Sequence, residues 1–323
     1  MPARLGVVLS TVTDAPLADL IALGQLAERH GFEAVLVNEG RGDALAVSQA
    51  IASVTQRITV GTNIANIYFR HPFLAAATAR TLAELSGGRL LLGLGMSHRG
   101  LLARLGIDMG NARERLAQYT RYVRDALAGK VAEGFLVPPP SAFRIPVHVA
   151  ANTVESAAVA GALGDGLMPF LSPRSYLPVL MESARAARAD SALAGEPFEC
   201  CLSFPTFLSE DEDAARAAAR YNLAFFAQLP NYRRQWRRAG FGTAMDALKR
   251  VWETGNRRAA AEQIPDALVE EVCVFGPVAQ CLRQIEAFRQ QGVDLPVLAV
   301  SPANEDRITA TRRALEMLAP EHV

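Results

Sequence analysis

Lysine is almost missing from this chain: Lys130 and Lys249 are the only two, and arginine supplies every other side-chain cation. Net charge is missing as well, because 33 basic residues balance 33 acidic ones. A neutral chain sets up no field that would gather a polyanion, which argues against a dedicated nucleic-acid binder or a protein of acidic membrane surfaces. Cysteine is scarce. Cys200, Cys201, Cys273 and Cys281 include no Cys-x-x-Cys pair and none lies beside a histidine at ligand spacing. They read as small buried hydrophobes of a reducing compartment, not as a disulfide frame or a zinc site. The five histidines show no metal spacing either, so no metal is expected. No apolar run approaches the roughly 18 residues of a membrane span, and the first residues lack the basic stretch and apolar core of a signal peptide. The expected location is the cytoplasm. The dinucleotide-binding pattern G-x-G-x-x-G is absent too, since Ser10-Thr11-Val12-Thr13 follows the first apolar run.

What is present is a chain of 323 residues, 50% hydrophobic and 20% charged, which excludes disorder as its main state. Short apolar β-branched runs at 5–9, 34–37, 58–61 and 90–93 alternate with amphipathic stretches at 17–30, 44–55 and 72–85. Runs apolar on both faces belong to parallel strands covered by helices. Further candidate strands at 147–150, 166–169, 200–207 and 296–300 bring the total to eight, which favours a closed (β/α)8 TIM barrel over an open doubly wound sheet. One domain over 1–323 is expected. Two stretches interrupt the alternation. Residues 130–145 form a proline-rich excursion, and residues 210–272 carry polar-faced helices, among them 211–229 and 245–253. The second stretch lacks an obvious core of its own and reads as an insertion at the barrel mouth.

Catalytic groups of such a barrel lie just past the C-terminal ends of its strands. Those positions hold Asn38-Glu39-Gly40-Arg41, then Thr62-Asn63-Ile64-Ala65-Asn66 running on to Arg70-His71-Pro72, then Gly95-Met96-Ser97-His98-Arg99, then Ala151-Asn152-Thr153. With Ala27-Glu28 and Gly31-Phe32 ahead of the second run, Leu85-Ser86-Gly87-Gly88-Arg89 ahead of the fourth, and Ala160-Gly161 with Asp165-Gly166 near the sixth, the order and spacing of these fragments resemble the bacterial luciferase-like flavin and deazaflavin oxidoreductases. The match spans nearly the whole chain. Gly61-Thr62-Asn63-Ile64 followed by Arg70-His71-Pro72 resembles the branch that uses coenzyme F420.

The resemblance implies a TIM barrel with the deazaflavin or isoalloxazine ring at its C-terminal mouth, and a homodimer. It places a bulge with a non-prolyl cis peptide at Asn63-Ile64, behind the ring, with Thr62, Met96 and Ser97 beside it. It places the cofactor phosphate near Ala151, Asn152 and Thr153. Asn152 to Glu155 has the form of a helix N-cap with an acidic residue three positions on, and a helix start is a natural anion site. The family often has Gly-Pro-Lys where this chain has Thr153-Val154-Glu155, so Glu155 either caps its own helix or borders the phosphate. The family's histidine after strand two is replaced by Gly40. Glu39 remains, either as a cofactor contact and proton donor or as a loop ion paired with Arg41. His98 is the other proton-donor candidate.

Of the remaining histidines, His71 before Pro72 reads as a fixer of local geometry, while His30, His148 and His322 carry no chemical pattern. Tyr68 either lines the substrate pocket or packs into the core. Arg233-Arg234 and Arg237-Arg238 read as a solvated face, or as a patch that reaches an acidic cofactor tail. The implied function is hydride transfer between F420 and a C=C, C=N or C=O of a small organic substrate, in either direction, because the redox chemistry belongs to the cofactor. An FMN-dependent monooxygenase fed by a separate reductase is the alternative, and a non-catalytic ligand-binding relative the second.

Overall fold

The computed structural model describes residues 4–12, 15–130 and 139–320. Thr13, His322 and residues 131–138 of the proline-rich excursion, Pro138 among them, lie outside the described residues. Every apolar run is a strand, and the stretch after it packs back as a helix. The elements are β1 (Gly6–Ser10), α1 (Leu17–Arg29), β2 (Ala34–Asn38), α2 (Ala44–Ala52), β3 (Thr59–Thr62), β4 (Ala65–Asn66), α3 (Pro72–Ser86), β5 (Leu90–Gly95), α4 (Arg99–Arg104), α5 (Ala112–Leu127), β6 (Val147–Ala150), α6 (Val154–Leu163), β7 (Gly166–Met168), α7 (Leu177–Ala189) and β8 (Glu199–Leu208). They continue with α8 (Glu212–Phe226), α9 (Pro230–Trp236), α10 (Gly242–Glu253), α11 (Arg257–Ala261), α12 (Asp266–Val272), β9 (Val274–Gly276), α13 (Val278–Arg289), β10 (Leu295–Val300) and α14 (Arg307–Met317).

Strands β1, β2, β3, β5, β6, β7, β8 and β10 pair in parallel in that order, and β10 closes on β1, so the expected eight-stranded barrel forms. Local signals set its helix ends. Asp43 caps α2 by accepting from the Leu45 and Ala46 N–H groups. His71 caps α3 through its ring, Pro72 takes the first turn, and Gly87 ends the helix at φ 65°. The barrel interior is filled by Ala34, Leu36, Leu91, Met168, Cys201, Leu295 and Val297, with Val8, Ile64 and Ala150 partly exposed at its end. It is a packed core with the mouth above it, not a pore.

Two short strands were not expected. β4 rejoins β5 beyond the end of β3, pairing Ala65 with Leu94 and Asn66 with Gly95, and β9 pairs with the far end of β8 at Thr206, Phe207 and Leu208. Two or three residues are too few to show a period. The insertion departs from expectation more seriously, because it does have a core. Ala219, Leu223, Tyr232, Trp236, Met245, Leu248, Ile264, Leu268 and Val272 form one buried cluster with Phe207 and Leu171 of the barrel. The apolar residues come from four helices that are each polar on one side and from the turn before α12, so the cluster exists only once they assemble.

Candidate active site

From Gly61 to Ala65 the chain takes four steps, whereas the facing strand takes three from Leu91 to Leu94. One extra residue in one strand is a β-bulge, and it falls where the chain crosses from β3 to β4. The Asn63–Ile64 peptide within it is cis, as the resemblance implied. Gly61 lets the strands come close enough, since a Cβ there would lie 2.0 Å from the Leu91 carbonyl oxygen. Thr62 is fully buried and its hydroxyl donates to the Gly93 carbonyl at 2.7 Å, so it ties β3 to β5 beneath the mouth instead of facing a ligand. Asn63 Nδ2 donates to Ser203 Oγ of β8 at 3.3 Å, a polar beam between strands on opposite sides of the barrel. Ile64 remains half-exposed above it.

Glu39 holds the bulge from behind. Its backbone N–H donates to the Ile64 carbonyl at 3.3 Å, and its Oε2 accepts from the Asn66 N–H at 2.6 Å. Oε1 pairs with Arg70, which also meets Asp43 at 3.0 Å. The Glu39 side chain is only 3% exposed. The ion pair expected with Arg41 is thus made with Arg70, and both carboxylate oxygens are engaged by protein. This geometry corrects the reading of Glu39 as proton donor: it is a buried clamp on the backbone that bears the bulge. Arg70 was quoted only as part of a motif. Nothing local to position 39 reveals a partner 31 residues away.

His98 stands after β5 at the start of α4, yet its side chain makes no cap bond. The insertion covers it instead, with the Tyr232 ring of α9 5.8 Å from the imidazole. Burial lowers its pKa from the ordinary 6.5, opposed by a hydrogen bond to the Asn231 side chain. Its Nδ1 is buried without a partner. Phe170, Phe226 and Tyr232 meet edge to face around this spot, 5.3 to 6.0 Å between centroids. Asn231, Tyr232 and Phe170 were not foreseen, because nothing in a sequence says where an insertion will fold back. Met96 and Ser97 sit half-buried at the β5 end between Gly95 and His98.

At the β6 end the helix cap lies one residue later than expected. Thr153, not Asn152, caps α6, in a reciprocal box with Ser156. Asn152 Oδ1 instead accepts from the Phe170 N–H at 3.0 Å and ties β6 to β7, while Ala151 is buried. The Glu155 carboxylate has its pKa lowered by its own backbone N–H, then by the Thr153 hydroxyl and by Arg238 and Arg113. Arg238 lies 3.7 Å away. One residue of the expected basic patch therefore reaches this corner, whereas Arg237 pairs with Asp246. Tyr68 packs against the core and donates to the Met109 carbonyl at 2.8 Å.

The family described as luciferase-like monooxygenase matches residues 2–295. The chain belongs to it. A Mycobacterium tuberculosis protein named as a coenzyme F420-dependent oxidoreductase is 29% identical, over 90% of this chain and 92% of its own length. The F420-dependent tetrahydromethanopterin reductase of Methanopyrus kandleri superposes with a TM-score of 0.82 at 19% identity and full coverage of both chains. The oxygenating constituent of the Pseudomonas putida 3,6-diketocamphane monooxygenase, in complex with FMN, superposes at 0.68 with 15% identity, covering 100% of this chain and 99% of its own. Relatives of this luciferase-like chain thus use deazaflavin or flavin.

The luciferase-like mouth has a partly exposed apolar floor of Val8, Ile64 and Ala150, a surface that suits the face of a flat ring. Gly95 is set by close packing, since a Cβ there would stand 2.7 Å from Ile64 Cγ1 and 2.9 Å from the Ala150 Cβ, and His98 Nδ1 is buried without a hydrogen-bond partner. The α6 start does not fit a phosphate as it stands, since the Glu155 carboxylate already occupies it. Among the described residues no three His, Cys, Asp or Glu side chains converge as metal ligands, and no helix is long and apolar enough to cross a membrane.

Proposed function

We propose that this chain is an oxidoreductase that binds coenzyme F420 at the barrel mouth and moves hydride between it and a small organic substrate. The observation that carries the reading is the β3–β5 bulge at Asn63 and Ile64, clamped by Glu39 and Arg70 and half-exposed at the end of the barrel. The 29% identity to the F420-named relative supports the deazaflavin over FMN. The cofactor, when bound, supplies the hydride chemistry. Ile64 and Asn63 would back the ring, and the Asn63–Ser203 beam floors the site.

His98 is the proton-handling group. With its pKa lowered by burial, the imidazole favours the neutral form that can act as a base, and its Nδ1 has no partner within the protein. In the oxidising direction the bound cofactor would supply the hydride acceptor, and His98 would take the heteroatom proton of a CH–OH or CH–NH substrate as C=O or C=N is left. In the reducing direction the protonated ring returns that proton. Two copies of the chain would form the working dimer.

Titration of the purified protein with F420 and separately with FMN, followed by cofactor fluorescence, tests the reading. Tighter binding of F420 is expected, with His98→Ala retaining that affinity while turnover falls by about a hundredfold or more. Preference for FMN together with oxygen uptake would favour the monooxygenase reading, which the FMN-bound neighbour supports and which requires a separate reductase. Binding of neither cofactor would overturn both.

A further inference from the structure

Helix α9 turns the side chains of Tyr232, Gln235 and Trp236 inward. Asn231 and Gln235 are one turn apart, so their side chains stack on one stripe. Asn231 meets His98, Tyr232 lies 6.0 Å from Phe170 between centroids, and Trp236 Nε1 donates to the Leu171 carbonyl at 2.9 Å. This face therefore roofs the gap between the ends of β5 and β7.

Gln235 is 1% exposed, and neither its amide oxygen nor its amide nitrogen has a hydrogen-bond partner. A buried amide with both ends unmet is destabilising and rare in native structures. Nearby groups share the same state. Ser172 Oγ, one residue past the Leu171 carbonyl that anchors Trp236, is buried and unpartnered, as is His98 Nδ1. Leu171 itself has φ 53°, the one non-glycine positive φ among the described residues. Backbone held in that region next to unmet polar atoms is a mark of a functional surface.

We propose that Gln235 is a specificity-determining residue that reads an uncharged amide-type edge of the substrate, a carbonyl acceptor beside an N–H donor. The inference rests on the oxidoreductase reading only for placing substrate at this mouth. A primary amide presents donors on one side and an acceptor on the other. A carboxylate would satisfy the Gln235 N–H groups but set a negative charge against its Oε1, and a ketone would leave Oε1 unmet. A donor–acceptor pair satisfies both, and sites built this way reject analogues that lack one half. The edge-to-face rings of Phe170, Phe226 and Tyr232 suit a flat apolar body attached to that edge.

The test uses thermal unfolding of the wild type and Gln235→Leu, each with and without F420, against benzamide, benzoate and ethylbenzene at equal concentrations. Benzamide should stabilise the wild type, with an affinity about tenfold or more above that of benzoate or ethylbenzene. Gln235→Leu should melt higher than the wild type without any probe, because an unmet amide is gone, and should lose the preference for benzamide. A wild type indifferent to benzamide overturns the inference, as does a Gln235→Leu variant that melts lower, which would mean the amide is already satisfied inside the protein. F420 binding is read separately by fluorescence. Benzamide preference without F420 binding would fail the oxidoreductase reading alone, and F420 binding without that preference would fail this one alone.

Discussion

The Glu39 carboxylate accepts from the Asn66 N–H and pairs with Arg70 at a side-chain exposure of 3%. Glu39→Gln would leave Arg70 buried beside a neutral amide, and removing one partner of a buried pair typically costs about 3–5 kcal/mol. A loss of that size is expected in urea unfolding, with weakened F420 binding because the bulge loses its backing. A variant of unchanged stability would show that the pair is not holding the loop. His148 is a second buried titratable residue, 1% exposed in β6 with Nδ1 unpartnered. Burial lowers its pKa to about 4 against the attraction of Glu199 and Asp165, with Arg4 and Arg144 adding to the lowering. The unfolded chain takes up this proton near pH 6.5, before the folded chain does. Its contribution is therefore whole above pH 6.5 and is lost as pH falls through 4, about 3 kcal/mol in all. Stability measured from pH 7 to pH 4 should fall less steeply in His148→Gln, and equal slopes would contradict the assignment.

At the scale of the element, α6 carries its own anion. Glu155 sits in the first turn, bonded to its own N–H and to Thr153, with Arg238 of the insertion beside it. A cofactor phosphate at this helix start has to displace that carboxylate. Glu155→Gln should tighten F420 by roughly two- to fivefold, the scale of one exposed charge at a helix end, and the gain should shrink as salt is added. Unchanged affinity at low salt would mean that the phosphate binds elsewhere. The cap also shows where reading by pattern stops. Asn152 and Thr153 are both good N-cap residues, and Glu155 three positions after Asn152 suggested the first. The structure chose Thr153 because Asn152 is drawn away to the Phe170 N–H just past the next strand.

At the scale of the molecule, the insertion and the barrel meet at Trp236, fully buried and bonded to the Leu171 carbonyl. Trp236→Ala should cost about 3–5 kcal/mol through the cavity it leaves, read by chemical unfolding, and should expose residues 210–272 to proteolysis before the barrel. Simultaneous cleavage of barrel and insertion would show that the two do not open separately.

Which parts of this protein could be read along the chain follows from the range of the forces involved. Strand and helix periods are local. The runs at 34–37 and 147–150 sit within one residue of β2 and β6, and His71-Pro72 with Gly87 marks α3 at both ends. The order of those elements was enough for a closed parallel barrel, whereas the bulge after β3 was implied only by the resemblance to a family. Partners distant in sequence left no such trace. Glu39 finds Arg70 in place of Arg41, Asn63 crosses the barrel to Ser203, and His98 acquires its setting from a helix more than 100 residues beyond β5. Periodicity is written into neighbouring residues by the geometry of the backbone. A buried ion pair or a roof over a mouth depends on where separate elements come to rest, and that is decided by packing of the whole chain.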